Sequence, residues 1–503
     1  MAALAIHKPV QPFIFKMMIM KKITLLFGVC LSVAIQGCSA NTPEETASQP
    51  ETDSAKNVIP WVTNGSQAKL LQKGSPVNIF DGNNSGASSN LIKIDFAAKL
   101  QEMEGFGAAL TGSSAYLLNK KMTVAQRSSL LQDLFDAENG IGISYLRVTM
   151  GASDFSLEDF TYNDLPAGQT DPELSKFSIA KDQDDLVPML KEVLKIQPDI
   201  RIMSTPWSAP AWMKSNGKLA GGSLKPEWYP AFAKYFVKYL DAYKKEGINI
   251  DAISVQNEPL HEAAYPSMAM DAAAQNVFIR DHLGPVFKTN GIKAKILLYD
   301  HNWDRPDYPI TILSDAQTNP FVTGSAFHAY GGSVSAMSEV HDKFPDKGLY
   351  FTEISGGRWA TNFSDNLKWN MSNIFIGTAN NWSKNALLWN LALDENDGPK
   401  NKGCDNCRGV VTIAANGSVI KNVEYYTIAH MSKFIRPGAF RVQSDKFTSA
   451  SKLESSAFVN TNGSKVLVVL NQGADNQKFT VSDGENQFNY TIEPNSVATL
   501  VWK

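Results

Sequence analysis

Between residues 100 and 435 the chain repeats one rhythm. A short apolar run rich in β-branched and aromatic residues ends on polar or aromatic side chains, and a longer amphipathic stretch follows. The runs are 103–110, 143–150, 200–205, 252–256, 295–299, 324–328, 348–352 and 386–389. Of the stretches between them, 228–246 is representative. There Phe232, Phe236, Tyr239 and Tyr243 recur at three- and four-residue spacing, which lines up one apolar face of a helix. Strands alternating with helices predict a parallel sheet. Eight such units predict an α/β fold, a (β/α)8 TIM barrel over residues 99–436, with a doubly wound sheet as the competing architecture.

The flanks follow another rule. Residues 91–96, 466–470 and 497–502 are short β-rich runs, and the pairs Asp81-Gly82, Asn462-Gly463 and Asp483-Gly484 mark turns beside them. This is the pattern of a β-sandwich. One piece, 58–98, precedes the barrel and another, 437–503, follows it. They predict one side β-sandwich domain built from both chain ends.

The N-terminus reads as an address. Met20-Lys21-Lys22 precedes an apolar run, Ile23 to Ile35, of about 13 residues, short of the roughly 20 that a membrane helix needs. The run ends in Ile35-Gln36-Gly37-Cys38, which resembles a bacterial lipobox. That resemblance implies a lipoprotein signal region over 1–38, with Met20 as the true start and Cys38 as the lipid-bearing residue. The alternative is a soluble secreted protein with an ordinary cleavage site. Ser39, where an Asp would favour retention in the inner membrane, points to the outer membrane or cell surface. Residues 39–57, rich in Thr, Glu, Ser, Pro and Ala, read as a flexible tether.

Composition narrows the chemistry. A net charge of −3 over 503 residues argues against nucleic acid as a partner. Ten Trp supply flat apolar faces of the kind on which sugars bind, although Trp is also ordinary core material. No GxGxxG follows a first strand, and neither a phosphate loop nor an HExxH is present. Ser204 and Ser355 lack the GxSxG context of a nucleophile elbow. With Cys30 in the signal region and Cys38 lipidated, Cys404 and Cys407 remain, as a lone CxxC. It is open to half a zinc site, a redox pair or a local disulfide. No second ligand pair follows, and in an exported chain a disulfide that pins the loop is the better reading.

Barrel active sites lie at the C-terminal ends of the strands. Those ends carry Asp154, Trp207, Asn257-Glu258-Pro259, His328 with Tyr330, Glu353, and Trp389-Asn390. Glu258 and Glu353 stand out. Cleaving a glycosidic bond takes two carboxyls, one to protonate the leaving oxygen and one to attack or assist from the other side. Asn257 is placed to bond a sugar 2-hydroxyl, and Tyr330 to donate to the nucleophilic carboxylate. Each residue has a plainer role available. Asp154 is able to cap the following segment, Arg147 to sit in a buried ion pair, His328 to be a satisfied core histidine, and Trp207, Trp212 and Trp389 to pack the core. Their joint placement on one rim carries the site.

Three motifs carry a resemblance. They are Met203-Ser204-Thr205-Pro206-Trp207-Ser208-Ala209-Pro210-Ala211-Trp212-Met213-Lys214, Gln256-Asn257-Glu258-Pro259 and Phe351-Thr352-Glu353. With 147–156, Trp389-Asn390-Leu391-Ala392-Leu393 and Ser432-Lys433-Phe434-Ile435, they resemble glycoside hydrolase family 30, which holds glucosylceramidases and β-1,6-glucanases. The likeness spans roughly residues 60–503. It implies a retaining, two-glutamate enzyme with no metal or cofactor. Glu258 resembles the acid/base, protonated at rest, and Glu353 the ionised nucleophile. Asp154, Trp207, Asn257, Tyr330 and Trp389 match pocket positions of the family, and His328 is similar to a pocket histidine.

The 404–407 loop with Arg408-Gly409-Val410-Val411-Thr412-Ile413, and the compact 208–213 run, resemble microbial β-1,6-glucanases. They imply a monomer acting on β-glucan outside the cell and held to a membrane by its lipid. A glucosylceramidase or an exo-acting β-glucosidase or β-xylosidase is the alternative. An inactive glycan-binding surface lipoprotein is a remoter one.

Overall fold

The computed structural model describes residues 57–81 and 90–503. Residues 1–56, which hold the proposed signal region and Cys38, and Gly82 lie outside the described residues. Eight parallel strands close into a barrel: β1 (Gly105–Ala109), β2 (Tyr145–Thr149), β3 (Arg201–Thr205), β4 (Ala252–Ser254), β5 (Lys295–Asn302), β6 (Gly324–His328), β7 (Gly348–Glu353) and β8 (Ser383–Leu388). Each strand pairs with its sequence neighbours, and β8 closes onto β1. The eight apolar runs are these eight strands. The stretch read as an amphipathic helix is helical over Tyr229–Lys245, with Phe232, Phe236, Tyr239 and Tyr243 all buried.

Strand side chains alternate between the barrel's interior and the helix layer. The lower interior layer is Tyr145, Met203, Ala252, Leu297, Ala326, Tyr350 and Leu387. Below it, Glu104 accepts from Lys295 Nζ at 2.5 Å and from the Tyr350 hydroxyl at 2.9 Å. Further along β2 to β7 the next inward layer is polar, and it forms the floor of the site, while β1 and β8 turn Ala109 and Trp389 to that level. One strand breaks the alternation. In β5 the register shifts between Tyr299 and His301, and Tyr299 and Asp300 take φ of 69° and 60°. This bulge turns Asp300, rather than Tyr299, inward.

The flanking strands join one mixed sheet structure at the barrel's side. Asn57–Asn64 pairs with Ser496–Trp502, and Leu91–Glu102 lies between Phe440–Ser444 and Gln477–Ser482. Both chain ends therefore build the side domain. Its core joins Val58, Val62, Ile92 and Ile94 from the first piece to Val442, Leu467, Phe479 and Leu500 from the second. Gly463 and Gly484 take φ of 81° and 91° at the read turns, a conformation open to glycine at no steric cost. Among the described residues no helix is long and apolar enough to cross a membrane.

His430, on the last barrel helix (Val423–Ser432), fastens the two parts together. Its ring nitrogens lie 2.9 Å from Thr499 Oγ1 and 2.8 Å from Thr63 Oγ1, one strand from each chain end. Burial pushes its imidazole down to about 3. The unfolded ring takes up a proton below its ordinary 6.5, and the buried ring refuses it until about 3. Stability from this group is therefore complete above 6.5 and falls as pH drops towards 3. His430→Leu is expected to cost about 1–3 kcal/mol at pH 8, because it takes one hydrogen bond from each of two buried hydroxyls, leaving Thr63 with the Leu71 N–H and Thr499 with the backbone carbonyl at position 430. It should also flatten the acid slope of stability. Urea melts over a pH series measure both, and an unchanged slope would reject the assignment.

Candidate active site

Two residues beyond the lower layer, the strands bring Arg147, Thr205, Ser254, Asp300, His328 and Thr352 together inside the barrel, all buried. Asp300 is the hub. Its Oδ2 accepts from Arg147 (2.9 Å), Thr205 (3.2 Å) and Ser254 (2.6 Å). Its Oδ1 accepts from Thr352 (2.6 Å) and lies 3.0 Å from His328 Nε2. Burial alone would raise this carboxyl, but Arg147, His328 and Ser254 outweigh it and hold it far below the usual carboxylate range.

Each glutamate hangs from this hub through a different neighbour. Arg147 donates to Glu353 Oε2 and, at 2.7 Å, to Asn257 Oδ1. His328 Nδ1 lies 3.1 Å from Glu258 Oε1. The Tyr330 hydroxyl donates to Glu353 Oε1 at 3.0 Å. One oxygen of Glu258 lies within 4.8 Å of one of Glu353. Retaining glycosidases hold their carboxyls roughly 5–5.5 Å apart, and inverting ones roughly 6.5–9.5 Å. Glu258 itself takes φ of 43°, uncommon for a residue with a side chain, and its N–H donates to Asp300 O at 3.0 Å. Glu258, His328 and Glu353 are metal-ligand types in close reach. Their donor atoms are already engaged, and the guanidinium of Arg147 supplies the positive charge there.

The directions in which the surroundings push the two carboxyls differ from the sequence expectation of a raised Glu258. Burial opposes the charged ring of His328, but Glu353, Asp300 and Glu258 outweigh it and push the imidazole up to about 9. Burial also raises Glu258, yet the hydrogen bond and charge of His328 pull it below its ordinary value. At Glu353 burial wins over His328 and Arg147, and the carboxyl sits above its ordinary value. The physical reason is His328, which carries its cation directly against Glu258.

Above this floor is a hollow of about 370 Å³. Asp154, Glu258, Tyr330, Glu353 and Trp389 line it, together with His261, Tyr265, His301, Asn302, Ser355, Trp359 and the Cys404–Cys407 disulfide. Burial and the charges of Glu353 and Glu258 push the Asp154 carboxyl well above its usual range, and its Oδ1 has no hydrogen-bond partner. Three residues placed in the pocket by sequence do not line it. Trp207 is 2% exposed, stacks beneath Trp389 at 5.1 Å and has the Arg147 guanidinium 4.9 Å from its ring. His328 lies under Glu258, and Asn257 has its side-chain carbonyl committed to Arg147. Trp212 also faces elsewhere, since its indole donates to Asn163 Oδ1 at 2.9 Å.

The reading from sequence missed Asp300, His301 and Asn302. Strand β5 runs three residues past the expected end, and the bulge hides its inward position. It also missed His261, Tyr265 and Ser355, which come from loops whose path no periodicity reveals.

Comparison with known proteins agrees with this geometry. The family model described as the glycosyl hydrolase family 30 TIM-barrel domain matches residues 103–435, and the family's beta sandwich domain matches 438–500. An endo-1,6-beta-D-glucanase of Neurospora crassa is 34% identical over 454 residues, 86% of this chain and 92% of that protein. The lysosomal acid glucosylceramidase of Mus musculus is 30% identical over 443 residues, 82% of this chain and 83% of that protein. The solved structure of the endo-beta1,6-glucanase BT3312 superposes with a TM-score of 0.82 at 35% identity, covering 89% of this chain and 99% of that one. A polar barrel floor carrying two facing glutamates, with both family models matched in order, places the chain in glycosyl hydrolase family 30.

Proposed function

We propose that the chain is a retaining glycoside hydrolase that cuts β-1,6-linked glucan within the chain, with Glu258 as acid/base and Glu353 as nucleophile. The observation that carries this reading is the pair of carboxyls within 4.8 Å, set in unlike surroundings in one hollow. In the first step the O–H of Glu258 gives its proton to the glycosidic oxygen. The bond from that oxygen to C1 breaks, and a Glu353 oxygen bonds to C1. In the second step Glu258 takes a proton from water, the water oxygen bonds to C1, and the Glu353 ester is released. Arg147 and Tyr330 receive the returning charge on Glu353. Asp154 offers its unpartnered oxygen to a sugar hydroxyl, and Trp389 gives an apolar face.

His328 supplies the missing proton. Asp300 is a permanent anion beside Nε2, so the ring keeps a proton there in either state. Nδ1 then either donates to the Glu258 carboxylate or, having passed its proton across 3.1 Å, accepts from the carboxylic acid. The pair thus holds one proton for the leaving oxygen.

Export and lipid anchoring at Cys38 belong to the same reading and rest on residues 20–38 of the sequence. A glucosylceramidase, or an exo-acting β-glucosidase, uses the same machinery, and the mouse relative supports that second reading.

The substrate is tested by following products from linear β-1,6-glucan with the chain from Ser39 onward. A ladder of short oligosaccharides is expected. Glucose alone would make the enzyme exo-acting, and activity confined to glucosylceramide would replace the substrate. The roles separate in two variants. Glu353→Gln should lose turnover on every glycoside. Glu258→Gln should lose about 10²–10⁴-fold on glucan but far less on aryl glucosides whose leaving group needs no proton. Equal losses on both substrates would reject the assignment.

For His328→Gln, the alkaline limb of kcat/KM should move down by about 2 pH units, since Glu258 must then hold its proton alone. The folded pKa of His328, about 9, exceeds its ordinary 6.5. Its contribution to stability is therefore full below 6.5 and gone above about 9. The gap in Tm between wild type and variant should close across that window, and an unmoved alkaline limb would reject the proton-sharing role.

A further inference from the structure

Among the described residues, the exposed Tyr, Phe and Trp side chains are Tyr330, Trp359 and Trp369, at 46%, 56% and 43% exposure. All three line one second hollow of about 450 Å³. Tyr330, Ser355 and Trp359 line this hollow and the catalytic one alike, so the two are neighbours across a shared wall. Trp369 belongs to the outer hollow alone. Large apolar rings left in water cost burial free energy unless something covers them, and their gathering at one place marks a binding surface.

The wall is built rather than loose. The Trp359 ring lies against Gly357, where an added Cβ would meet it at 1.9 Å, so any side chain there would push the ring aside. Gly357 pairs with Cys407 of the disulfide, and Arg358 bonds Asp397 Oδ1 at 2.9 Å. The loops after β7 and β8 therefore hold the ring in place. Trp369 ends the helix Phe363–Trp369 on the far side. Polar groups accompany the rings. Asp365 lines the hollow with its side chain 70% exposed, and Asn370 lines it too. Flat rings beside hydrogen-bonding groups suit a pyranose, which has apolar faces and an equator of hydroxyls.

We propose that the Trp359–Trp369 hollow is a distal subsite that holds a glucosyl unit of the same chain whose bond is cut in the neighbouring pocket. The proposal rests on the β-1,6-glucanase reading and extends it: a hold beyond the catalytic pocket favours long chains over short ones. Continuity with the catalytic hollow selects this occupant. A flexible β-1,6-linked chain leaving the first pocket over Trp359 enters the second.

The test uses the inert Glu353→Gln chain, titrated calorimetrically with β-1,6-gluco-oligosaccharides from dimer to octamer. Affinity should rise with length, and Trp369→Ala in that background should cancel the rise, weakening the octamer by about tenfold. Trp369→Phe should keep most of the gain, which a folding defect would not allow. A length gain that survives Trp369→Ala overturns the proposal. So does a loss that falls instead on a long-chain alkyl β-glucoside, which would assign the hollow to a lipid tail. If Glu353→Gln with Trp369 intact binds no β-1,6-linked oligosaccharide of any length, the glucan reading itself fails, and the subsite falls with it.

Discussion

The site depends on one buried carboxylate. Asp300 and Arg147 are both fully enclosed, and the idealised cost of bringing such a charge into a dry interior is of order 20 kcal/mol. The charge survives there because five side chains from β2, β3, β4, β6 and β7 converge on its two oxygens. Six barrel strands are thereby tied to one point. From that point Arg147 reaches Glu353 and His328 reaches Glu258. The separation of the two glutamates is thus set by the closed barrel rather than by the loop that carries Glu258.

Stability alone does not call for this layer, since replacing buried ionic groups by packed hydrophobic ones is often neutral or stabilising. What the polar layer returns is placement. The strained backbone at Glu258 has the same logic. Its N–H bonds the carbonyl of Asp300, so the hub that positions His328 beneath the carboxyl also fixes the backbone that carries it. The lower layer, Tyr145 to Leu387, is conventional packing, and Glu104 with Lys295 closes its base.

What the sequence disclosed follows the same layering. The eight strands were legible because each is a short apolar run, and the two glutamates because they follow such runs directly. Strand ends locate a rim but not a depth. Trp207, Asn257 and His328 follow or end strands just as Glu353 does, yet they sit beneath the surface of the hollow and hold up the residues that line it. Asp300 escaped because a bulge shifts it by one residue, and bulges leave no mark in hydrophobic periodicity. The electrostatic setting of Glu258 escaped for a related reason. It comes from a ring 70 positions along the chain, and only the folded barrel brings the two together.

The hub and the loops divide the work. The floor of Asp300, Arg147 and His328 holds Glu258 and Glu353 from below and lies inside the barrel. The wall of Trp359, Trp389 and the Cys404–Cys407 pair is built by loops after β7 and β8 that pair with each other at Gly356 and Gly357. A change in that wall alters which glycan fits without touching the glutamates. Proteins named for a glucan and for a glycolipid both align along more than four-fifths of this chain, as a shared floor beneath exchangeable walls would produce. On the proposed reading, selectivity among β-glucosides falls to the loops, and the side chains placed to exert it are Tyr330, Ser355 and Trp359, which the catalytic hollow shares with its neighbour.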